Sequence, residues 1–374
     1  MNNTDQRILS FYALEVEILS EPNQDIRNHL EEMILGTPGK LQYRFLEVKD
    51  KLSWMKNGKF LILRKSGRII GSVCLIRRES PILSKSYPFW YIRYMFIRAP
   101  LKPKSYKQKR KKRDSSAHLN LIWNSVLKYF NQPEILIDPS DPGKQSMLYS
   151  YVLKSNLRAV NINNAIGIVP VKKARTYFFS RTQPVKNPCV RQILEDEKRQ
   201  VVNLMREFYN DYVLYSDQNL FYKNQYYVYV EDNEIVAGMQ ANPEAWEFMS
   251  KPGPGGFILL KVLPRIPPIS KYWTPRNFKF TAIEGLFYKS GHEDKLFELM
   301  ESVCAIHKTH FIFYWTDPAS RLYNVLISKG KQGFMSRFFP AEDIDVCAKY
   351  INWKKEEIDD FIQRPVYISC FDST

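Results

Sequence analysis

The densest concentration of chemically active side chains in this 374-residue chain is a run of positive charge from Lys102 to Arg113. Eight of these twelve residues are lysine or arginine and none is acidic, so the run carries half of the formal net charge of +16. Clustered cations attract phosphates and other anions. Three interpretations remain open: a solvated loop that keeps the protein in solution, a site for nucleotide or coenzyme A phosphates, or a contact with RNA or an anionic membrane.

Other residues with the side chains of known sites lack the required pattern. Cys304, His307 and His310 have metal-binding side chains at a spacing of three, but no fourth ligand is evident, so we predict no metal site. The glycines between Gly253 and Gly256 lack the lysine and serine or threonine of a phosphate-binding P-loop. No GxSxG or HExxH motif is present either, which leaves hydrolase chemistry without support.

Composition indicates a folded protein with more than one domain. Hydrophobic residues make up 44% of the chain and charged residues 25%, which are ordinary values for globular proteins. The five cysteines are scattered and never form a CxxC pair, as expected in a reducing compartment. No apolar run approaches the roughly 20 residues that a membrane-spanning helix needs, and we predict a cytoplasmic protein with no transmembrane segment.

The first half of the chain is predicted to mix strands and helices. Lys59–Leu63 and Ile69–Ile76 flank a polar turn containing Gly67, a pattern typical of a β-hairpin. Phe89–Ile97 is apolar on both faces, which indicates a buried central strand. The other predicted elements are a strand within residues 8–19, helices at Asp25–Leu35, Leu41–Met55, Ala117–Phe130 and Gln145–Lys154, and strands at Ile135–Ile137, Ala159–Val171 and Thr176–Phe179.

The second half repeats this order of elements. Its predicted elements are a helix at Glu195–Tyr212, a hairpin of Tyr226–Val230 and Ile235–Gln240, a strand at Phe278–Tyr288, a helix at Lys295–His307, a strand at His310–Trp315 and a helix at Ser320–Ser328. Two local matches support a duplication: Gly71 with Gly238, and Ser146–Ser150 with Ser320–Asn324, at offsets of 167 and 174 residues.

Taken in this order, the elements resemble the GNAT acyltransferase fold twice over nearly the whole chain. The resemblance implies an α/β chain of two tandem GNAT-like acyl-CoA N-acyltransferase domains, each a mixed sheet with helices on both faces. We place the boundary between residues 1–187 and residues 188–374. In that family the central strand splays from its neighbour, and the pantetheine arm of acyl-CoA lies in the gap.

The resemblance also implies which residues bind the acyl donor. In the first half the candidates are the end of the central strand, the basic run and the start of the next helix, namely Phe96, Ile97, Arg98, Arg110, Arg113, Ser115 and Ser116. Backbone N–H groups and the dipole of a helix N-terminus favour a pyrophosphate. The second half has two carboxylates in its corresponding loop, Lys289–Asp294, which would repel one. We therefore expect the first half to bind the donor.

Catalytic roles follow from the same resemblance. Tyr149, or Tyr151 in a shifted helix register, and Tyr323 stand where the family often places the acid that protonates the departing thiolate. Glu284, on the predicted strand at Phe278–Tyr288, is the candidate general base. The tyrosines could equally be ordinary core residues, and Glu284 could pair with a neighbouring cation.

The implied function is acyl-CoA-dependent N-acyl transfer, such as acetyl transfer, to an amine acceptor, with acetyl-CoA or another acyl-CoA as co-substrate. Two alternatives remain open. Tandem chains of the Fem-like branch transfer amino acids from aminoacyl-tRNA, which would give the basic run RNA as its partner. The second alternative is a GNAT-like binding protein without catalytic activity. It remains open because Lys107–Ser116 contains no glycine that would allow the backbone to approach a pyrophosphate closely.

Overall fold

The computed structural model describes residues 6–11, 14–36, 39–80, 87–97, 124–140, 143–267, 269–334, 336 and 343–373. The strands of this part of the chain are β1 (Gln6–Phe11), β2 (Leu14–Leu19), β3 (Gln42–Phe45), β4 (Gly58–Lys65), β5 (Arg68–Glu79), β6 (Pro88–Ile97), β7 (Ser146–Leu153), β8 (Val169–Ser180), β9 (Val190–Gln192), β10 (Tyr226–Glu231), β11 (Glu234–Ser250), β12 (Phe278–Tyr288), β13 (Phe311–Thr316) and β14 (Asp343–Ile351).

Helices cover both faces of these strands. They are α1 (Gln24–Glu31), α2 (Val48–Trp54), α3 (124–131), α4 (Leu157–Ala165), α5 (Lys198–Phe208), α6 (Pro254–Phe257), α7 (Lys295–His307), α8 (Arg321–Ser328), α9 (Lys355–Gln363) and α10 (Cys370–Ser373). The α7 helix shows why such segments fold: seven of its side chains, among them Leu296, Met300 and Val303, are buried against the sheet.

All strands belong to one mixed sheet, and the two halves of the chain meet in its middle. Its order is β1-β2-β4-β5-β6-β7-β14-β8-β13-β12-β11-β10-β9, with β3 added to the far end of β11. The last strand of each half therefore completes the other half: β14 pairs with β7, and β8 pairs with β13. This exchange makes a continuous sheet out of two copies of one pattern.

The duplication is confirmed in the order of elements, but one of its two local matches is wrong. The hairpins β4–β5 and β10–β11 correspond, as the match of Gly71 with Gly238 predicts. Residues 146–150, by contrast, lie in strand β7, whereas residues 320–324 begin helix α8. The true counterpart of β7 is β13, because each pairs in parallel with the central strand of its half.

The helix predicted at Gln145–Lys154 is accordingly a strand. The β7 strand lies between β6 and β14, and six of its eight residues from Ser146 to Leu153 are buried, although four of the eight are serine or tyrosine. The alternation of apolar and polar residues that marks a surface strand is absent from a strand that is buried on both faces. Tyrosine and valine favour strands, which was the available signal.

Three other element predictions are corrected nearby. Residues 133–136 form a 3₁₀ turn, not a strand, because Pro133 opens it. The predicted strand at Ala159–Val171 is helix α4 followed by the start of β8, and the side chain of Asn156 caps that helix by accepting a hydrogen bond from the N–H of Ala159. The predicted helix at Leu41–Met55 divides into strand β3 and helix α2.

The two central strands, β6 and β12, share a bulge and a splay. In β6, two residues from Tyr94 onwards oppose one residue of β5, and in β12 the same occurs at Gly285 opposite β11. Both positions have a left-handed backbone, with φ of 53° at Tyr94 and 57° at Gly285. Just before each bulge, pairing with the next strand stops at Tyr91 and at Ile283. Each half therefore has a wedge-shaped gap beside a kinked central strand.

We expect Gly285→Ala to destabilise the protein, because this bulge has no room for a side chain. An added Cβ would lie 2.8 Å from Cδ2 of Leu220 and 3.0 Å from Cε of Met205, at a φ of +57°. Crowding and backbone strain together should cost about 1–3 kcal/mol of unfolding free energy, which chemical denaturation measures. Gly67→Ala is the control, since its φ is also positive and nothing lies near its Cβ. Equal losses in both variants would contradict the crowding argument.

Candidate active site

The gap in the first half lies between β6 and β7. Their parallel pairing covers only Phe89–Tyr91 and Met147–Tyr149, although β6 continues to Ile97. Beyond Tyr91, within the part of the chain that the structure describes, no strand pairs with the edge of β6 that faces β7. The predicted donor-binding residues Phe96 and Ile97 lie in this free stretch.

The other predicted donor-binding residues cannot be placed. Arg98, Arg110, Arg113, Ser115 and Ser116 lie outside the described residues, as does the whole basic run from Lys102 to Arg113. Among described side chains, the guanidinium carbon of Arg158, at the start of α4, lies 5.9 Å from the ring centroid of Phe96. The first half therefore supplies a splayed strand with a cation at the far side of its gap.

The corresponding gap in the second half is filled by tyrosines. The hydroxyl of Tyr209 donates a hydrogen bond of 2.6 Å to the carbonyl of Leu286 on β12, beyond the point where β12 and β13 part. Its ring stacks on Tyr215 at 5.4 Å and meets Tyr212 and Tyr367 edge-on. These side chains lie beside the wedge between β12 and β13. The two halves thus share a backbone pattern, and in the second half the wedge is occupied by Tyr209 and its aromatic neighbours.

A segment that follows α9, residues 365–373, crosses from the second half to the first. It begins beside the second half's gap, where the N–H of Val213 donates a backbone hydrogen bond to Pro365 and its carbonyl accepts one from Tyr367, and it ends beside β5 and β6. At its end, Arg93 of β6 donates a hydrogen bond of 2.7 Å to the carbonyl of Phe371. The residues from Val366 to Asp372 are buried. This segment brings the two central strands into one polar cluster.

Glu284, the predicted general base, lies in that cluster at the bulge of β12. Its side chain is 1% exposed, and Oε2 accepts a hydrogen bond of 2.5 Å from Ser369 and a longer one of 3.5 Å from the N–H of Phe371. The other oxygen, Oε1, has no hydrogen-bond partner in the described structure. Burial raises the pKa of Glu284 to about 7, because the surrounding apolar side chains disfavour its charged form. Such a carboxyl exchanges a proton readily near neutral pH.

Arg78 forms the other half of the cluster. Its guanidinium makes two hydrogen bonds of 2.5 Å to the carboxylate of Asp372, and both side chains are almost completely buried. A further hydrogen bond of 3.0 Å runs from Arg78 to the hydroxyl of Tyr149. The carbonyl of Asp372 also accepts a hydrogen bond of 3.1 Å from Tyr91. This buried ion pair, with two parallel hydrogen bonds, fixes the position of the 365–373 segment.

Tyr149 lies in this cluster, but on a strand and not on the predicted helix. It is the last residue of β7 that pairs with β6, and Tyr314 holds the equivalent position in β13. Burial raises the pKa of Tyr149, so its phenol stays protonated at neutral pH. Its match with Tyr323 is therefore wrong, while its role as an acid stays a prediction.

Tyr323 lies on helix α8, as predicted, but its hydroxyl contacts strand β8 and not the cluster around Glu284. Its hydroxyl accepts a hydrogen bond of 3.4 Å from Arg175 of β8, which also pairs with Asp343 of β14. By chain position its counterpart in the first half is Ala159, since both follow the capping residue of their helix by three. The structure brings Glu284 and Tyr149 into one cluster. They are linked through Arg78, Asp372 and Phe371, whereas the hydroxyl of Tyr323 is bound to Arg175.

Sequence reasoning missed Arg78, Ser369 and Asp372. The sequence did contain a signal for Arg78. Side chains alternate between the two faces of a strand, so Arg78 lies on the same face of β5 as the core residues Cys74 and Ile76, and a charged side chain on a buried face is unusual. No comparable pattern marks Ser369 or Asp372, because their burial depends on a contact with a strand nearly 300 residues earlier.

A small pocket lies beside the cluster. Arg78 and Phe371 are among the residues that line it, together with Trp54, Gln218 and Asn219. Asn219 also lies 3.5 Å from the hydroxyl of Ser369, to which its amide can donate a hydrogen bond.

The suspected metal ligands do not form a centre in the described part of the chain. His307 contacts the hydroxyls of Thr281 and Tyr227, each at 3.1 Å, and burial lowers the pKa of this imidazole to about 4. His310 contacts the carbonyl of Arg181 instead. The described residues include no group of three or more side chains that could hold a metal ion. Nor do they include a helix that is both long enough and apolar enough to cross a bilayer.

Solved structures with a similar fold include two of N-myristoyltransferase from Saccharomyces cerevisiae. One, with bound myristoyl-CoA, is 11% identical with a TM-score of 0.57, over 98% of this chain and 92% of that chain. Another, with bound myristoyl-CoA and inhibitors, is 12% identical with a TM-score of 0.54, over 97% and 88%. No family model matches the chain, and no curated protein matches its sequence. The similarity extends over both halves, and the chain has a tandem GNAT-like fold of the kind found in N-myristoyltransferase.

Proposed function

We propose that the protein is an acyl-CoA-dependent N-acyltransferase in which the first half binds the donor and the second half supplies the base. The stretch of β6 beyond Tyr91, which has no strand partner on this edge among the described residues, supports the first part, since the equivalent stretch of β12 is contacted by Tyr209. The two similar solved structures hold myristoyl-CoA, which favours a fatty acyl donor over acetyl-CoA. We keep the boundary between the halves at residues 187 and 188, in the connection between β8 and β9.

The environment of Glu284 is the observation that carries this proposal. A buried carboxyl costs stability unless it is protonated or paired, and this one has a pKa of about 7 and a free oxygen. A single residue, Phe371, links it to the central strand of the first half. The N–H of Phe371 donates to Glu284, and its carbonyl accepts from Arg93, next to the bulge of β6. A base held between the two central strands is suited to a reaction at their junction.

The geometry suggests the following reaction. An acceptor amine reaches the cluster through the pocket beside Asn219 and attacks the thioester carbonyl of the donor in the first gap. Backbone N–H groups at the bulge of β6 stabilise the negative charge that develops on the carbonyl oxygen. Glu284 accepts the amine proton at Oε1, and Tyr149 protonates the departing thiolate. Placing both reactants at one junction supplies much of the rate.

A thermal-shift titration with acetyl-CoA, a long-chain acyl-CoA, free CoA and bulk tRNA tests the donor assignment. A ligand that binds only the folded protein raises the melting temperature with its concentration. We expect an acyl-CoA to do so, and Arg110→Ala with Arg113→Ala to weaken the effect, because arginines bind phosphates. His292→Ala, in the second half's loop, should leave it unchanged.

Three outcomes would contradict the proposal. Equal effects of the two substitutions would remove the donor site from the first half. Stabilisation by tRNA alone, weakening steeply with salt, would support an aminoacyl-tRNA transferase. No stabilisation by any of the four compounds would support a binding protein without catalytic activity. Release of free thiol from the stabilising acyl-CoA in the presence of amines then measures turnover directly.

A further inference from the structure

The segment that joins β11 to β12 combines exposed apolar side chains with unpaired positive charge. From residue 248 to residue 283 the sequence has six basic residues and no acidic one: Lys251, Lys261, Arg265, Lys271, Arg276 and Lys279. Among the described residues, no carboxylate forms an ion pair with any of the six. In the sequence this charge is separate from the basic run at residues 102–113, and the proposed reaction does not use it.

Large apolar side chains are exposed on the same segment. Phe257 is 64% exposed and Ile258 49%, and Met249 and Ile266 are each at least 40% exposed. Four of the twelve exposed large hydrophobic side chains of the described structure thus fall within eighteen residues, whereas the other eight are scattered. Such a concentration of exposed apolar side chains in one segment is uncommon on a surface that only meets water.

The patch is held in place from below. Its helical stretch runs from α6 through residues 258–265, with Leu259 and Leu263 turned towards the core and Phe257, Ile258, Lys261 and Arg265 exposed. Trp273 donates a hydrogen bond of 2.6 Å to the carbonyl of Leu259. At the start of the stretch, a Cβ on Gly256 would lie 1.7 Å from the carbonyl oxygen of Lys251, so the chain is closely packed there. The exposed face is therefore a built surface of the fold.

We propose that this surface, residues 249–276, docks on an anionic lipid membrane. Apolar side chains that insert among acyl chains, ringed by lysine and arginine that meet anionic headgroups, are the two contributions that hold a peripheral protein on a bilayer. The absence of acidic residues from the whole segment matches a negatively charged surface. A protein partner or a second copy of this chain would need acidic groups of its own to cover these cations, and the segment itself offers none.

Vesicle co-sedimentation tests the proposal with the full-length protein and without any acyl-CoA, so its result does not depend on the proposed function. The probes are vesicles of phosphatidylcholine alone and of an equal mixture of phosphatidylcholine and phosphatidylglycerol. We expect binding to the mixed vesicles only. Phe257→Ser with Ile258→Ser, and separately Lys261→Glu with Arg265→Glu, should each lower the partition coefficient by at least about tenfold.

Matched controls separate the patch from general hydrophobicity and charge. Leu157→Ser with Val185→Ser removes two side chains that are each 68% exposed elsewhere, and Lys65→Glu with Lys355→Glu makes the same change in net charge on other exposed positions. Both controls should bind as the unaltered protein does. Melting temperatures of all variants show whether each one is folded.

The proposal is overturned if the unaltered protein does not bind the mixed vesicles, or if the patch variants bind as well as the controls. It is also overturned if binding is lost only when the eight basic residues of 102–113 are replaced by glutamine. Sedimentation analysis without lipid gives the last outcome: a dimer that the patch variants convert to a monomer would assign this surface to a second copy of the chain.

Discussion

Glu284→Gln should lower the rate of acyl transfer by about 10²–10⁴-fold, the usual contribution of a general base. Glutamine keeps the shape of the side chain, and its amide oxygen can still accept the hydrogen bond from Ser369. It cannot accept the proton of the acceptor amine. Donor binding should persist, because the proposed donor site beside β6 of the first half does not involve this residue.

The pH dependence of the same variant gives a second readout. The activity of the unaltered protein should rise with pH through about 7, as Glu284 loses its proton, and this limb should be missing in the variant. Glu234→Gln, at an exposed carboxyl of the β10–β11 turn, is the control and should change neither rate nor profile. Turnover within about threefold of normal in Glu284→Gln would refute the assignment of the base and leave the donor site intact.

Stability should change in the opposite direction. Because the pKa of Glu284 is raised in the folded state, the unfolded protein releases this proton first as the pH rises. The free energy of unfolding should therefore fall between about pH 4.5 and pH 7, by up to about 3 kcal/mol at 1.36 kcal/mol per pKa unit. Glutamine has no charge to bury, so the variant should be more stable than the unaltered protein above pH 7. Chemical denaturation at several pH values measures the difference.

Arg78→Met should be the most destabilising of the single substitutions considered, at about 3–5 kcal/mol. It leaves the carboxylate of Asp372 buried without its partner, and it removes the donor to Tyr149. Arg78→Met with Asp372→Leu should recover most of that loss, because an apolar pair needs no compensation in this site. Urea denaturation of the two single variants and the double variant forms the cycle.

Arg364→Met is the matched control for this cycle. It breaks an ion pair with Asp360 at the end of α9, where the Arg364 side chain is 36% exposed, and should cost less than about 1 kcal/mol. If Arg78→Met lost no more unfolding free energy than Arg364→Met, the buried ion pair would not stabilise the fold. Additive losses in the double variant would show that Arg78 and Asp372 act independently.

The fold was largely predictable from the sequence, because its elements carry local signals. The hairpins, the central strands and helix α7 show their hydrophobic period or their turn residues in a short window. The β7 strand was not predictable in this way, because β14, some 190 residues later, covers one of its edges. Its alternation disappears when both faces are buried, and a serine and tyrosine pattern then fits a helix equally well.

The residues of the candidate site also differ in whether a local sequence signal marks them. Glu284 was identifiable, since a carboxylate in an apolar strand is conspicuous and the resemblance gave that strand a role. Arg93 and Arg78 lie on strands of the first half, and their partners lie in a segment at residues 365–373 that has no motif of its own. Only a fold that places this segment between the two central strands reveals the cluster.

The exchange of final strands in the sheet has a consequence for synthesis of the chain on the ribosome. The β7 and β8 strands are complete near residue 180, but β14, which separates them, ends at residue 351. At about 5–20 residues per second, the first half waits roughly 10–35 s with one edge of β7 and both edges of β8 unpaired at the outset. Open edges of this kind invite pairing with other chains. The nascent chain should therefore depend on molecular chaperones until its second half has emerged.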